Sequence, residues 1–300
     1  MKTPSYLSKG DKIGIAAPAR KISIEELRPA IDTFEDWGME PVFASNLFCS
    51  DNQYAGPDDE RRSGFQELLD NHEIKAIICA RGGYGMGRII DRVDFSHFKK
   101  HPKWIIGYSD ITVLHSHLYS NYYIASMHAP MAGAFNDGGV NNEFIASLKN
   151  ALEGKKAKYQ TPVHDFNRKG EAIGELVGGN LSLLAHGIGT PSDIKTKGRI
   201  LFLEDVGEYI YNVDRMLHQL KRSGKLDRIA GLIIGGFTES KDTERPFGQD
   251  VYTVIRDIIA EYDYPVCFDF PVSHTDRNYA LKVGVGYKLK VGKSKVTLEE

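Results

Sequence analysis

The chain has 300 residues, of which 41% are hydrophobic, enough to build a substantial core in one large or two modest domains. Its 38 basic and 40 acidic side chains are mixed along the sequence and leave a formal net charge of -2. This balance gives no basic patch for nucleic acid or for a membrane surface, so neither partner is expected. The segment from Met1 to Tyr6 is polar and no stretch approaches a transmembrane length, which predicts a cytoplasmic protein.

The cysteines and histidines show no metal-binding spacing. Cys49, Cys79 and Cys267 are far apart and form neither a disulfide framework nor a Cys-x-x-Cys pair. His115 and His117 are two residues apart on a predicted helix and therefore point to different faces. We expect no metal and no cofactor.

The first half of the chain alternates apolar strands with helical segments. Such alternation predicts an α/β domain with a parallel sheet covered by helices on both faces. The predicted strands are Lys12–Ala17, Glu40–Ala44, Ala76–Ala80, Trp104–Ile106 and Ile124–His128, and the predicted helices are Ile24–Trp37, Asp58–Asn71 and Ile111–Tyr119.

The pattern changes after residue 135. A turn at Asn136–Gly139, a helix over Asn142–Gly154 and a polar, irregular stretch over Lys155–Gly170 predict a connecting segment over residues 136–171. This divides the chain into an N-terminal domain, residues 1–135, and a C-terminal domain, residues 172–300.

The C-terminal half predicts a mixed α/β domain with antiparallel strands towards its end. Its predicted strands are Ala172–Val177, Ile200–Leu203, Gly231–Ile234, Val266–Phe268 and a pair within Lys282–Val291, and its predicted helices are Leu181–Gly187, Val213–Ser223 and Asp250–Glu261.

A serine lies between the fourth predicted strand and the following helix, in the sequence Gly107-Tyr108-Ser109-Asp110. This position presents a hydroxyl at the carboxyl end of a strand, beside the free N–H groups of a helix terminus. Ile111 stands where a G-x-S-x-G turn has its second glycine. Ser109 is therefore a candidate nucleophile or a simple helix N-cap.

A glycine-rich loop, residues 81–88, follows the third predicted strand. Its backbone could hold a phosphate, donate N–H groups to an oxyanion, or form a tight turn for helix packing. The Walker lysine is missing and the glycine spacing differs from the dinucleotide fingerprint. Because this loop and Ser109 follow successive strands of one sheet, an anion hole beside a nucleophile is favoured.

A catalytic serine requires a base and an acid that orients the base. His274 follows the apolar run ending at Val272 and is the preferred base, with His128 as its rival. Glu204 and Asp205 end the hydrophobic strand at Ile200–Leu203, so the acid is expected there.

The whole chain resembles the serine LD-carboxypeptidases, peptidase family S66, which include the muramoyl-tetrapeptide carboxypeptidases and the microcin C immunity peptidases. The resemblance runs from about Lys12 to Val291 and depends on blocks that occur in the expected order. These are GIAAPA at Gly14–Ala19, ARGGYG at Ala80–Gly85, GYSD at Gly107–Asp110, GGN at Gly178–Asn180, LEDVGE at Leu203–Glu208, VDRML at Val213–Leu217, GGF at Gly235–Phe237 and PVSH at Pro271–His274.

The resemblance implies roles for individual residues. Ser109 matches the family nucleophile, Glu204 the acid and His274 the base, while the Asp110 N–H and that of Gly82 or Gly83 would form the oxyanion hole. It also implies a flavodoxin-like N-terminal domain, a swivelling-type β/α C-terminal domain and a homodimer.

The implied reaction is hydrolysis of an L,D-amide, releasing D-alanine from murein tetrapeptide during peptidoglycan recycling. Arg81, Tyr84, Glu208 and Arg277 are candidate substrate contacts. An alternative is a microcin-type immunity peptidase acting on peptidyl- or aminoacyl-nucleotides, with Phe247 to stack a base. A non-catalytic protein that binds small anions through the glycine loop is the third hypothesis.

Overall fold

The computed structural model describes residues 1–136 and 139–300, so the turn predicted at Asn136–Gly139 lies partly outside the described residues. In chain order, the strands are β1 (Lys12–Ala16), β2 (Glu40–Phe43), β3 (Ile74–Cys79), β4 (Trp104–Gly107), β5 (Ser126–His128), β6 (Lys158–Thr161), β7 (Gly170–Asn180), β8 (Ile200–Val206), β9 (Gly231–Thr238), β10 (Val266–Cys267), β11 (Leu281–Val283), β12 (Gly286–Val291) and β13 (Val296–Glu299).

The helices of these same residues connect the strands. They are α1 (Ile24–Asp36), α2 (Asp58–Asp70), α3 (Met86–Ile89), α4 (Ser96–Lys100), α5 (Thr112–His117), α6 (Glu143–Leu152), α7 (Leu181–Gly187), α8 (Ile210–Arg222) and α9 (Val251–Ile258). None of them is long and apolar enough to cross a bilayer.

The first sheet has the strand order β11-β5-β4-β3-β1-β2. Its five parallel strands follow the 2-1-3-4-5 order of flavodoxin-like folds, and β11 adds an antiparallel edge. Alternate residues of its central strands enter different cores, since Ile78 and Ile106 pack on one face and Ile77 and Ile105 on the other. The predicted parallel sheet with two covered faces is confirmed.

The second sheet has the order β10-β9-β8-β7-β12-β13-β6. Strands β10, β9, β8 and β7 are parallel, and β7, β12, β13 and β6 are antiparallel. The long strand β7 belongs to both parts: residues 170–175 pair with β12 and residues 176–180 pair with β8. The predicted α/β class with a mixed second sheet is confirmed.

Two elements differ from the sequence prediction. The stretch Lys155–Gly170 is not irregular throughout, because β6 forms an edge strand of the second sheet there. The two strands predicted within Lys282–Val291 are present but belong to different sheets: β11 pairs with β5 of the first sheet, whereas β12 pairs with β7 and β13. The domain limits at residues 135 and 172 stay a prediction.

Candidate active site

Ser109, the candidate nucleophile, lies two residues after the end of β4. Its backbone is left-handed, with φ of 61°. It begins a 3₁₀ turn, Ser109–Ile111, which continues into α5. Gly107 permits this sharp turn, since a Cβ there would lie 2.9 Å from the Ile111 side chain. A non-glycine residue with positive φ is uncommon and marks a constrained, often functional, position.

The glycine loop contacts the serine directly. A Cβ on Gly82 would lie 3.1 Å from Ser109 Cβ and 3.4 Å from its Oγ, so this glycine is adjacent to the candidate nucleophile. Gly83 has a φ of 100°. Neither the Gly82 nor the Gly83 amide donates a hydrogen bond to the described chain. Both N–H groups therefore remain available to an anion beside the serine.

Asp110 fastens this loop to the serine turn through its side chain. The carboxylate is buried and accepts a hydrogen bond of 2.7 Å from the Met86 amide, at the start of α3. Burial raises the pKa of Asp110, and hydrogen bonds from the Met86 and Gly85 amides oppose that increase.

The second sheet contributes Glu204 and His274. Glu204, near the end of β8, has no exposed surface, and its Oε2 lies 2.6 Å from Nδ1 of His274. In the neutral imidazole this contact favours the proton on Nδ1, facing the carboxylate, and leaves Nε2 as the basic nitrogen. Nε2 is buried and makes no hydrogen bond within residues 1–136 and 139–300.

His274 lies beside the serine turn without closing a hydrogen bond to it. Its ring centroid is 5.0 Å from that of Tyr108, the residue before Ser109. A Ser109–His274–Glu204 triad has two hydrogen bonds. The one between His274 and Glu204 is formed, whereas Ser109 is not hydrogen-bonded to Nε2 of His274. Such contacts are commonly loose when no ligand is bound.

The local charges favour a protonated His274. Burial lowers its pKa, but the adjacent Glu204 charge and hydrogen bond, followed by the Asp205 and Glu239 charges, outweigh burial and raise the pKa above its ordinary value.

His128, the rival base, lies in the core. Its ring is fully buried, with centroids 5.9 Å from Tyr108 and 5.1 Å from Phe202. Burial, with the charges of His115 and His274, holds the pKa of His128 well below its usual range. No carboxylate of the described chain hydrogen-bonds to this imidazole, in contrast to His274.

Asp205, one of the two acids predicted at the end of β8, forms a buried pair with Asn180 that the sequence did not predict. Asp205 accepts hydrogen bonds from Asn180 Nδ2 at 2.8 Å and from the Ser182 amide at 3.0 Å. Burial and the neighbouring Glu204 charge raise the pKa of Asp205 to about 7. Asn180 lies in the GGN block and Asp205 in the LEDVGE block, and these two blocks are the sequence features that could have indicated the pair.

Arg81 and Tyr84 flank the glycine loop on the surface. Arg81 Nη1 bonds to Oε1 of Glu26 at 2.7 Å, so this guanidinium is engaged by the first turn of α1. Tyr84 is 50% exposed and lies 6.3 Å from the Tyr54 ring.

Glu208 and Arg277 lie on the second-sheet side. Glu208 Oε2 accepts a hydrogen bond of 3.1 Å from Asn212. Arg277 is exposed, with Nη1 3.8 Å from a carboxylate oxygen of Asp269.

A cavity of about 450 Å³ adjoins the glycine loop, between α3 and α5 on one side and α7 on the other. Its volume falls within the range of roughly 300–1,000 Å³ that is typical of small-molecule sites. Its lining includes Gly83, Tyr84, Asp110, Ser116, Ser182 and His186.

Two family models match most of the chain. The model of the LD-carboxypeptidase N-terminal domain matches residues 13–129, and that of the LD-carboxypeptidase C-terminal domain matches residues 173–289.

Characterised and curated relatives agree with these models. A probable murein peptide carboxypeptidase of Bacillus subtilis is 35% identical over 99% of this chain and 94% of its own length. The murein tetrapeptide carboxypeptidase of Pseudomonas aeruginosa is 28% identical, with 91% of each chain covered.

Solved structures share the fold. A muramoyltetrapeptide carboxypeptidase from Oxalobacter formigenes superposes with a TM-score of 0.87 at 30% identity, covering 96% of this chain and 98% of the other. The microcin C7 self-immunity protein, solved with aspartyl sulfamoyl adenosine, has a TM-score of 0.88 at 22% identity over 99% and 98%, which supports the fold alone. The chain belongs to the serine LD-carboxypeptidases of peptidase family S66.

Proposed function

We propose that Ser109, His274 and Glu204 are the catalytic triad and that the substrate is a murein tetrapeptide, cleaved at the L,D-amide before its terminal D-alanine. The observation that carries this proposal is the 2.6 Å contact between Glu204 and Nδ1 of His274. It orients an otherwise unpaired Nε2 on a ring that packs beside the serine turn.

In the proposed mechanism, Ser109 Oγ attacks the carbonyl of the L-centre while His274 Nε2 takes the hydroxyl proton. Glu204 holds the imidazole in the required tautomer and stabilises the imidazolium that forms. His274 then transfers the proton to the departing amine of D-alanine. Water, deprotonated by His274, hydrolyses the acyl-enzyme and restores Ser109.

The oxyanion of the tetrahedral intermediate would be bound by the amides of Gly82 or Gly83 and of Asp110. Contact of Gly82 with the Ser109 side chain supports this assignment, as do the unpaired loop amides. Each hydrogen-bond donor fixed beside the reacting carbonyl raises kcat by a factor of about 10²–10³.

The murein substrate is supported by the names of the relatives from Bacillus subtilis and Pseudomonas aeruginosa. The cavity of about 450 Å³ shares Gly83 and Asp110 with the proposed oxyanion hole, so it could hold the acyl portion of the peptide. Tyr84 lines this cavity, and Arg81, Glu208 and Arg277 remain proposed contacts for the substrate carboxylates and amine.

The test measures the release of D-alanine from a murein tetrapeptide with an enzyme-coupled assay. We expect turnover by the wild type and a loss of at least about 10³-fold in Ser109→Ala. Equal rates in both proteins would contradict the proposal.

A second substrate class is an aminoacyl- or peptidyl-nucleotide. Phe247 favours it, since this ring is 36% exposed in the polar loop after β9 and could stack on a base. Competition between the tetrapeptide and an aminoacyl sulfamoyl adenosine would discriminate, because the murein proposal predicts weak inhibition by the nucleotide.

We further propose a cytoplasmic homodimer. The three cysteines are free thiols, two of them buried, which suits a reducing compartment. Cell fractionation tests the location, and light scattering coupled to gel filtration tests the dimer.

A further inference from the structure

Arg61 is a completely buried cation in the first turn of α2. A buried charge is costly unless charged partners and hydrogen bonds compensate it. Its partners therefore show which part of the molecule this residue serves.

The guanidinium joins three loops that lie at the carboxyl edge of the first sheet. Nη1 donates to the carbonyl of Pro18 at 2.5 Å and to that of Gly85 at 3.1 Å. Nε donates to the carbonyl of Gly56 at 3.1 Å. Asp58 accepts from Nη2 and supplies the opposite charge.

Gly85 is shaped to receive this contact. Its φ of 155° suits glycine, and a Cβ there would lie 2.6 Å from Arg61 Nη1. The glycine thus admits the guanidinium, in contrast to Gly82, which lies against Ser109.

Asp110 holds the same point of the loop from the other side. Its carboxylate accepts the Met86 amide at 2.7 Å, while Arg61 binds the carbonyl of Gly85, the preceding residue. Arg61 and Asp110, which are both buried and opposite in charge, thereby fix the peptide group between Gly85 and Met86. Tyr84 is the one residue between Gly85 and Gly83.

We propose that Arg61 is a positioning residue for catalysis, which together with Asp110 holds the Gly82 and Gly83 amides at the oxyanion beside Ser109. This inference rests on the proposed oxyanion role of those amides. Arginine suits the task because its planar fork of five N–H groups reaches several carbonyls at once, whereas lysine offers a compact point charge.

The experiment compares wild type with Arg61→Lys in tetrapeptide hydrolysis and in inhibition by a phosphinate analogue, in which a tetrahedral phosphorus replaces the scissile carbonyl. We expect kcat to fall about tenfold or more while KM changes less than threefold. The phosphinate inhibition constant should rise by the same factor as kcat/KM falls, because the oxyanion is stabilised mainly in the transition state.

Lys103→Met is the matched control. Lys103 is also a buried cation bound to backbone carbonyls, those of Leu68 and Asn71, but it lies at the opposite end of α2. We expect this variant to lose thermal stability while kcat stays within twofold of wild type. An equal fall in kcat for both variants would show a general stability effect and overturn the inference.

Hydrogen exchange separates this inference from the proposed function. In Arg61→Lys, the Met86 amide, which donates to Asp110 in the fold, should exchange at least about tenfold faster than in wild type, whether or not the protein hydrolyses murein peptides. Unchanged exchange together with unchanged kcat would overturn the role of Arg61.

If Arg61→Lys does not fold, Asp58→Asn replaces it. That variant removes the carboxylate partner of the guanidinium and should lower kcat about threefold, with faster exchange of the Met86 amide. Wild-type values in both measurements would count against the inference.

Discussion

Single residues set the chemistry of this site, and the contact between Glu204 and His274 is the clearest case. Glu204 is fully buried and His274 is mostly so, which strengthens their interaction. The sequence predicted this pair through a strand end and a histidine after another apolar run. It could not predict that the serine link would be open, because that depends on distances between two sheets.

The raised pKa of His274 predicts the pH dependence of activity. As the proposed base, His274 must be neutral, so kcat/KM should rise with pH through a limb above the ordinary histidine value of about 6.5. Glu204→Gln removes the charge that raises this pKa and should move the limb to lower pH. It should also lower kcat on the order of 10³–10⁴-fold, since the imidazole loses its orienting carboxylate.

The measurement is kcat/KM between pH 5 and pH 9 for both proteins. Glu171→Gln is the control, because Glu171 is an exposed carboxylate paired with Lys288 and Lys290 and has no proposed role in the site. A limb at the same pH in wild type and Glu204→Gln would refute the electrostatic explanation.

At the scale of elements, turns that follow strands carry the site. Local signals predicted β3, β4 and β8 with their polar ends, because a hydrophobic run followed by glycine or a charged residue is visible in the sequence. Strand β6 was missed because it is an edge strand whose outward residues are polar, with only Thr161 buried. Its partner β13 lies more than a hundred residues away, so no local pattern marks it.

Helix α7 is held at its start by two side chains from the second sheet. Asn180 accepts the Leu183 amide at 3.2 Å as an N-cap, and Asp205 accepts the Ser182 amide at 3.0 Å. The first turn of this helix borders the cavity, so its anchoring also shapes the proposed acyl site.

Asp205 predicts a pH dependence of folding stability. Its pKa is raised from 3.8 in the unfolded chain to about 7 in the fold. The folded state therefore binds the proton more tightly, and this stabilisation is complete below about pH 4 and is lost as the pH rises through 7. This contribution is absent in Asp205→Asn. Between pH 4 and pH 8, the unfolding free energy of the variant should therefore change less than that of wild type, and the two changes should differ by on the order of a few kcal/mol.

Chemical denaturation across that pH range measures the effect. Asp257→Asn serves as the control, since this exposed carboxylate is paired with Arg256. If wild type and Asp205→Asn show parallel pH profiles, folding does not raise the pKa of the Asp205 carboxyl and the explanation is wrong.

At the scale of the whole molecule, the site requires two sheets to keep a fixed relation. Ser109 follows the first sheet, whereas Glu204 lies in the second and His274 follows it. Close contact at Gly179 and Thr112 joins them: the Asn180 amide donates to Thr112 Oγ1 at 3.1 Å, and a Cβ on Gly179 would lie 2.5 Å from that oxygen.

Gly179→Ala should therefore separate the serine from its base. The added methyl group would displace α5 from β7, and we expect kcat/KM to fall at least about tenfold, as is usual when reacting groups are misplaced by a fraction of an ångström or more. Steady-state hydrolysis of the tetrapeptide measures this change.

Gly189→Ala is the matched control. Gly189 also has a positive φ, 83°, but a Cβ there would meet nothing within 4 Å. It carries the backbone strain without the contact, so its kcat/KM should stay near that of wild type. Equal losses in the two variants would assign the effect to strain rather than to the junction of the sheets.

The family blocks predicted both halves of the molecule, but not how the chain connects them. Strand β11 has three residues and pairs with β5, about 150 positions earlier in the chain. A pairing between positions so far apart leaves no local pattern in the sequence. In addition, strands of three residues are too short to show a periodicity.

That pairing has a consequence for biosynthesis. Because His128 pairs with Leu281, the first sheet lacks its outer strand until about 150 further residues have been synthesised and have left the ribosome. During that interval β5 presents an unpaired edge, the kind of surface that recruits strands from other nascent chains. Strand β4, which precedes Ser109, is next to β5, so the proposed site is completed only after Glu204, His274 and β11 have all emerged.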